Sequence, residues 1–478
     1  MSICFPRRER FILAAIIGLE MALGLAALLI YKGIARHLWL FVGVMIVMGV
    51  TAAYLIWGYW IGNRTDRRNS ALAVITNLCA VVLLAMVGEV IVRIEAMPSS
   101  QGLSFAQIRL APRDWQATVE WNRDLLHRSP SNISYFVQDS LLGWTVGPSR
   151  RSKDGLYLSS REGIRSPEVG IAYSEVQELP RIATVGDSFT FGLEVPFEST
   201  WGKKLEEQFP FRVQVLNFGV DGYGVDQAYL RYHRDVRPWH PDVVIFGFIN
   251  HDLYRTMVVY PFVSFPEWGF PFSKPRFTLA GEQLELFTTS LQNPETLFSV
   301  KSVAGLPHIE YDPGYDREAW EYKWFHRSYL VRLILGCIPR WPDPSPHASD
   351  DHIAAVNAEI LGRFAREAIA DGAIPYIVYF PGRGDFTGQE RNGRDLVFSA
   401  LGRNSYIMRI SHPACDARST ATSLMKATHI IPRKGTRSRQ SVLFNSCVMG
   451  LHIRLDRRSL SIRLDMRDKR GRFGSPVA

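Results

Sequence analysis

The chain has 478 residues, too many for one ordinary domain and enough to bury a large core. Its net charge is 55 − 46 = +9, but residues 401–478 alone hold 16 Lys and Arg against 4 Asp and no Glu, so residues 1–400 carry 39 − 42 = −3. The basic balance belongs to the tail, which excludes a nucleic-acid reading of the charge as a whole. The five cysteines, Cys4, Cys79, Cys337, Cys415 and Cys447, form no CxxC pair and no metal-ligand spacing with histidine, so neither a disulfide framework nor a zinc site is expected.

Three apolar runs, Phe11–Tyr31, Leu38–Ile61 and Ala71–Val92, each have about the 20 residues that a helix needs to cross a bilayer core. They predict three transmembrane helices. A cleaved signal peptide is the weaker reading of the first, whose run is too long and lacks a small-residue cleavage site. Arg7, Arg8 and Arg10 precede the first run and Arg64, Arg67 and Arg68 follow the second, whereas the first loop holds only Lys32 and Arg36. The excess of Lys and Arg marks cytoplasmic loops, so the residues after Val92 are expected on the extracytoplasmic side.

Residues 94–180 read as a linker and supporting region, with a helix over Asp114–His127 and a strand or hairpin over Tyr135–Val146. From Arg181 the pattern changes. A buried strand, Ile182–Val185, stops at Gly186 and is followed by Asp187 and Ser188. A helix is expected at Trp201–Phe209, a strand at Val213–Asn217, a tight loop at Gly219–Gly224, a helix from Val225 to about Val236, and a strand at Val243–Phe248. An insertion rich in Pro and aromatics runs over 256–349, with a hairpin predicted at Arg276–Phe287 and a helix at Glu318–Cys337. A helix, His352–Ala370, and a strand, Ile374–Phe380, then resume the alternation. Strands alternating with helices predict an α/β fold with a parallel, doubly wound sheet.

Open α/β sheets place their ligands at the carboxyl ends of the strands. Ser188 lies at such an end. A serine hydroxyl becomes a useful nucleophile only when exposed beside a base that takes its proton. Gly219, after the next strand, lets backbone approach a substrate and offers an N–H to a developing oxyanion. Asn250, after Val243–Phe248, offers its side-chain amide for the same purpose. Beside each stands a plainer reading: a serine in a capped turn, a glycine in a loop, an asparagine that only caps a helix.

Together these blocks resemble the SGNH or GDSL-type hydrolases over roughly residues 181–390. Gly186-Asp187-Ser188-Phe189 matches the first signature, with Phe189 in place of leucine; Asn217-Phe218-Gly219 matches the second. Asn250 matches the third with a departure, because one residue more separates it from Gly247 and His251 intervenes before Asp252. The resemblance implies a flavodoxin-like three-layer domain and acyl transfer through an acyl-enzyme on Ser188. The Ser188 and Gly219 amides and the Asn250 side chain would serve as oxyanion donors, with no metal or organic cofactor. It also implies an ester or O-acylated carbohydrate substrate, while the apolar runs and their flanks predict an integral protein of a bacterial-type inner membrane, with the bilayer itself as a partner.

The family's fourth block, Asp-x-x-His, is absent after Ile374–Phe380. His412, His429 and His452 are preceded at the required spacing by Arg409, Lys426 and Met449. Beyond Leu401 the chain has no Glu and no Trp and shows no sustained periodicity. Ala427–Ser438 can be back-translated so that another frame contains Asp-Ser-Tyr-His. Codon degeneracy permits that reading without forcing it, and it predicts a single-base insertion or deletion between about codons 390 and 404. The alternative to an active hydrolase is an inactive or glycan-binding membrane protein whose SGNH-like domain lacks its base.

Overall fold

The computed structural model describes residues 85–128, 135–173, 179–281, 283–288, 293–338 and 348–382, the single positions 75, 79, 82, 83 and 397, and short strands after residue 400. The first two expected spans, Phe11–Tyr31 and Leu38–Ile61, lie outside the described residues, as does most of the tail with its expected change of frame. Of the third span, residues 85–92 belong to a described helical stretch that continues to 95. Among the described residues no helix is long and apolar enough to cross a membrane, so the structure lends no support to the three-helix expectation.

The chain divides into two compact units. One comprises Met1–Trp121 with Asp316–Pro342, the other Asn122–Tyr315 with Asp343–Ala478. The insertion expected over 256–349 is therefore split between them.

The second unit is built on five strands: β1 (Arg181–Gly186), β2 (Gln214–Asn217), β3 (Val243–Phe248), β4 (Ile374–Tyr379) and β5 (Ile407–Arg409). All pairings are parallel, in the order β2-β1-β3-β4-β5. This 2-1-3-4-5 order is that of a flavodoxin-like sheet, with its switch point between β1 and β3. The strands are almost continuously apolar because both faces are covered. With side chains alternating along each strand, Ala183, Val185, Val244, Phe246 and Ile377 join one buried cluster, while Ile182, Val215, Val243, Ile245 and Val378 join the other.

Four helices and a short turn of helix dress the sheet: α1 (Ser188–Phe191), α2 (Trp201–Glu207), α3 (Val225–Arg231), α4 (Asn250–Arg255) and α5 (Asp350–Ala370). Ser349 caps α5 by accepting the His352 N–H, and Asp350 and Asp351 complement the dipole of its first turn. Its buried Ile353, Val356, Ile360, Leu361, Phe364 and Ala368 repeat at helical spacing. Phe364 meets Phe246 and Tyr232 edge-on, with ring centroids 5.0 and 4.9 Å apart. Beyond Arg231, α3 widens into a π turn, Tyr232–Val236, before Pro238 ends the run.

The stretch expected to link and support supplies part of this unit's core. Strands Phe136–Asp139 and Gly143–Val146 form the anticipated hairpin, and Tyr135, Phe136, Trp144 and Val146 are buried in the same cluster as β1. Strands Arg276–Ala280 and Gln283–Phe287 also pair as expected. The helix expected over Glu318–Cys337 forms only at Tyr329–Cys337. Ser328 is extended and accepts the Val331 N–H, which fixes the helix start there, and the preceding residues make two short 3-10 turns. Beyond Leu401, where the sequence loses its periodicity, Ile407–Arg409 pairs with β4, and Gln440–Val442, Ile453–Asp456 and Ser459–Leu464 form an antiparallel sheet of their own.

Candidate active site

Ser188, Gly219 and Asn250 follow the carboxyl ends of β1, β2 and β3, three adjacent strands at the switch point. Asp187 caps α1 through its side chain, with Oδ1 accepting the Phe189 N–H at 3.0 Å. Ser188 is the first helical residue, and its amide therefore has no partner within the helix.

Three glycines make room for this turn. A Cβ at Gly186 or Gly247, paired across β1 and β3, would lie 2.4 or 2.5 Å from Thr190 Oγ1. A Cβ at Gly219 would lie 2.3 Å from the Phe191 nitrogen. Gly219 is thus required by the close passage of α1, a demand that is local and steric.

The Gly219 N–H donates to Asn217 Oδ1 at 2.9 Å, and Asn217 Nδ2 donates to the Thr190 carbonyl at 2.9 Å. Asn217 thereby ties the loop after β2 to the serine turn. For the Gly219 amide to face an oxyanion this bond has to open. Arg165, fully buried, holds the other side of the turn: it donates to the Phe191 carbonyl at 2.7 Å and to the carbonyls of Gly192 and Val195. Burial pushes its pKa down to about 10. Its guanidinium also lies 4.4 Å from the Phe191 ring centroid.

Charge at the site is unbalanced. Asp187 is 1% exposed and Asp252 2%, and the cation between them is Arg255, with Nη1 2.7 Å from Asp252 Oδ1 and 3.6 Å from Asp187 Oδ2. Asp252 Oδ2 also accepts the Ile249 N–H at 2.9 Å, so Ile249, not Asn250, is the cap residue of α4. Burial raises the Asp187 pKa to about 6 against the pull of Arg255 and two backbone amides. It raises Asp252 well above the usual carboxylate range, and the nearby Asp187 charge pushes the same way. Asp221 is also raised to about 6 by desolvation, opposed by Arg255 and the Gly222 amide. Arg255 lies 4.6 Å from the Trp268 ring centroid, and its Nε is buried without a hydrogen-bond partner.

Ser188 Oγ lies 3.4 Å from Asp187 Oδ2. Among the described residues its hydrogen-bonding neighbour is a carboxylate and not an imidazole. His251 is exposed on the first turn of α4, and the segment after β4 where the resemblance places the base runs into residues outside those described. Beside the serine, exposed Phe189 stacks on Phe380 at 6.1 Å, and Phe380 meets Trp201 at 5.8 Å. These rings give the site one apolar wall. Among the described residues no group of three His, Cys, Asp or Glu side chains is arranged to hold a metal ion.

Sequence reasoning missed Arg165, Asp221 and Arg255. Arg165 had no signal, since it lies in a loop well before the first motif. Arg255 had a weak one, the i,i+3 spacing from Asp252 on a short helix.

No family model matches the chain, and no curated protein matches it. Among solved structures it is similar to a protein from Desulfitobacterium hafniense DCB-2 described as lipolytic and of the G-D-S-L family. The TM-score is 0.25 at 14% identity, over 50% of this chain and 81% of that one.

Proposed function

We propose that the chain is a serine hydrolase or acyltransferase acting on ester (O-acyl) groups through an acyl-enzyme on Ser188. The observation that carries this reading is the place of Ser188: at the carboxyl end of β1, beside the switch point, on a turn held by Asn217 and Arg165. In the proposed reaction Ser188 Oγ attacks the ester carbonyl and loses its proton to a base. The oxyanion is met by the Ser188 amide and the Asn250 side chain, and by the Gly219 amide once released from Asn217. Collapse expels the alcohol, and water or an acceptor hydroxyl then takes the acyl group from Ser188. The Phe189, Phe380 and Trp201 wall suits the apolar part of an acylated substrate.

A fluorophosphonate probe tests this. The wild-type chain should label and Ser188→Ala should not. Labelling of neither variant would favour a second reading, an inactive or glycan-binding SGNH-like domain. That reading is supported by the Asp187 carboxylate, which among the described residues is the hydrogen-bonding neighbour of the Ser188 hydroxyl.

Three finer statements belong to the same proposal. The chain is a membrane-anchored member of the SGNH type, on the strength of its motif blocks and three apolar runs. Its catalytic unit faces the extracytoplasmic side of a bacterial-type inner membrane, on the strength of the Arg distribution around those runs. The fourth block was lost by a frameshift, on the strength of the tail's composition; coding DNA without an alternative frame for Asp-x-x-His around codons 390–440 would rule that out.

A further inference from the structure

The helical stretch ending at residue 95 has two unlike faces. Val82, Leu83, Met86, Val87, Val90, Ile91 and Ile94 are all exposed, Ile94 by 72%, and they recur at i, i+1, i+4, i+5, i+8, i+9 and i+12 with no charge among them. The other face packs on protein. Val92 is buried with Phe105, Leu110 and Leu333, and Gly88 leaves room for Leu330, 3.5 Å from where its Cβ would stand.

Glu89 fixes the level at which the partner helix, Tyr329–Cys337, sits along this one. Its carboxylate accepts the Ser328 hydroxyl at 2.8 Å and the Tyr329 and Leu330 amides at 3.0 and 2.8 Å. These three donors, with Arg93 Nη2 2.7 Å from Oε1, give a charge inside an apolar run the partners it needs. At a rise of about 1.5 Å per residue, Glu89 is only about 4.5 Å from Val92, where the apolar run ends. Just ahead of the capped turn stand Tyr322 and Trp324, exposed by 61% and 80%, and Ile338 is exposed at the other end of the helix.

We propose that Tyr322, Trp324 and Ile338 seat in the headgroup layer of a lipid bilayer, docking the segment 316–338 on the membrane surface at the outer end of the third apolar run. The inference rests on the membrane-anchoring reading above. Lipid is favoured over a protein partner because the exposed stripe carries no charge before Arg93, at the end of the run, and continues an apolar run of membrane-spanning length. The aromatic pair also stands at the level of that run's end, where Trp and Tyr concentrate at bilayer interfaces. Glu89 makes the depth specific, since it couples the aromatic segment to one level of the helix.

The test uses the full chain with its native cysteines replaced by serine, carrying one environment-sensitive fluorophore in vesicles of phosphatidylcholine and phosphatidylglycerol. Single cysteines are placed by Val87→Cys, Tyr322→Cys, Ile338→Cys and, as an aqueous reference, Lys153→Cys. The expected result is loss of emission at 87 to a mid-chain spin-labelled lipid, at 322 and 338 to a headgroup-level one, and at 153 to aqueous iodide only. If 87 responds to lipid while 322 and 338 behave like 153, the interfacial seat is overturned and the anchor stands. Protection of 322 and 338 from both quenchers means a protein cover and overturns it too. Quenching of 87 by iodide removes the membrane reading itself.

Discussion

Two buried charge clusters in the sheet unit are built on opposite principles. In the first, Lys274 Nζ meets Asp226 Oδ2 at 2.5 Å and also donates to the carbonyls of Val258 and Pro275 at 2.9 and 3.0 Å, so all three of its donors are used. Nearby Asp312 accepts the amides of Val259, Tyr260 and Gly314 and the Ser264 hydroxyl, all within 2.9 Å. Buried Arg276, beside both carboxylates, is the second cation of this cluster, so two acids face two bases, and the network ties residues 256–314 to α3. In the second cluster, beside Ser188, Asp187 and Asp252 share Arg255, and Asp221 feels the same guanidinium. A satisfied network holds shape. Burial raises the carboxyls of both clusters, but in the acid-rich one Asp187 and Asp221 reach about 6, a property associated with sites of chemistry as well as with structural ion-pair networks.

Variants that remove one partner at a time break or sharpen this contrast. The largest effect is expected in the matched cluster. Lys274→Met leaves Asp226 as an uncompensated buried charge, which typically costs about 3–5 kcal/mol, and chemical denaturation would show it as a lower midpoint. A loss under 1 kcal/mol would remove the distinction between the clusters.

At the site the sign reverses. Asp187 has a folded pKa of about 6 against an ordinary 3.8. Its linkage contribution is therefore fully present below about pH 3.8 and is lost as pH rises through 6. At 1.36 kcal/mol per unit that amounts to up to about 3 kcal/mol. Asp187→Asn, which has no charge to bury, should be more stable than wild type by up to that amount at pH 8, and about equal to it near pH 4. Thermal unfolding at the two pH values decides the matter, and a variant weaker than wild type at pH 8 would contradict the account.

Arg255→Met should have the smallest effect, about 1–2 kcal/mol, because burial already holds Asp187 at about 6 and Asp252 well above the usual carboxylate range, so that answering the loss of the cation by binding protons costs these two less than it costs Asp226. The accompanying signature is an upward shift of both carboxyl titrations, visible by carboxyl-region infrared spectroscopy. A destabilisation as large as that of Lys274→Met would place the two clusters in the same class.

Much of the sheet was legible beforehand because its strands are short, apolar runs ended by glycine or polar residues, and that pattern survives any tertiary context. The α5 helix was equally plain, with its apolar spacing and acidic first turn. The Glu318–Cys337 expectation erred for a local reason: the aromatic residues before Ser328 carry helical spacing, while the Ser328 cap sets the start ten residues later than Glu318. The motif residues were legible as a set, but the work of Gly219 was not. Its neighbour across space, the Phe191 backbone, lies 28 residues back in the sequence, and only folding brings the two together.

By itself, the sequence determined that a parallel α/β sheet begins near Arg181 and that Ser188, Gly219 and Asn250 stand at strand ends, since periodicity and breaking residues are local properties of the chain. Tertiary structure alone decided the sheet order that puts those ends side by side. It also decided the pairing of Arg165 with carbonyls beyond the serine turn, and the crowding of three carboxylates around Arg255. Each of these depends on distances between residues far apart in the chain, and burial then changes how strongly a carboxyl group holds its proton.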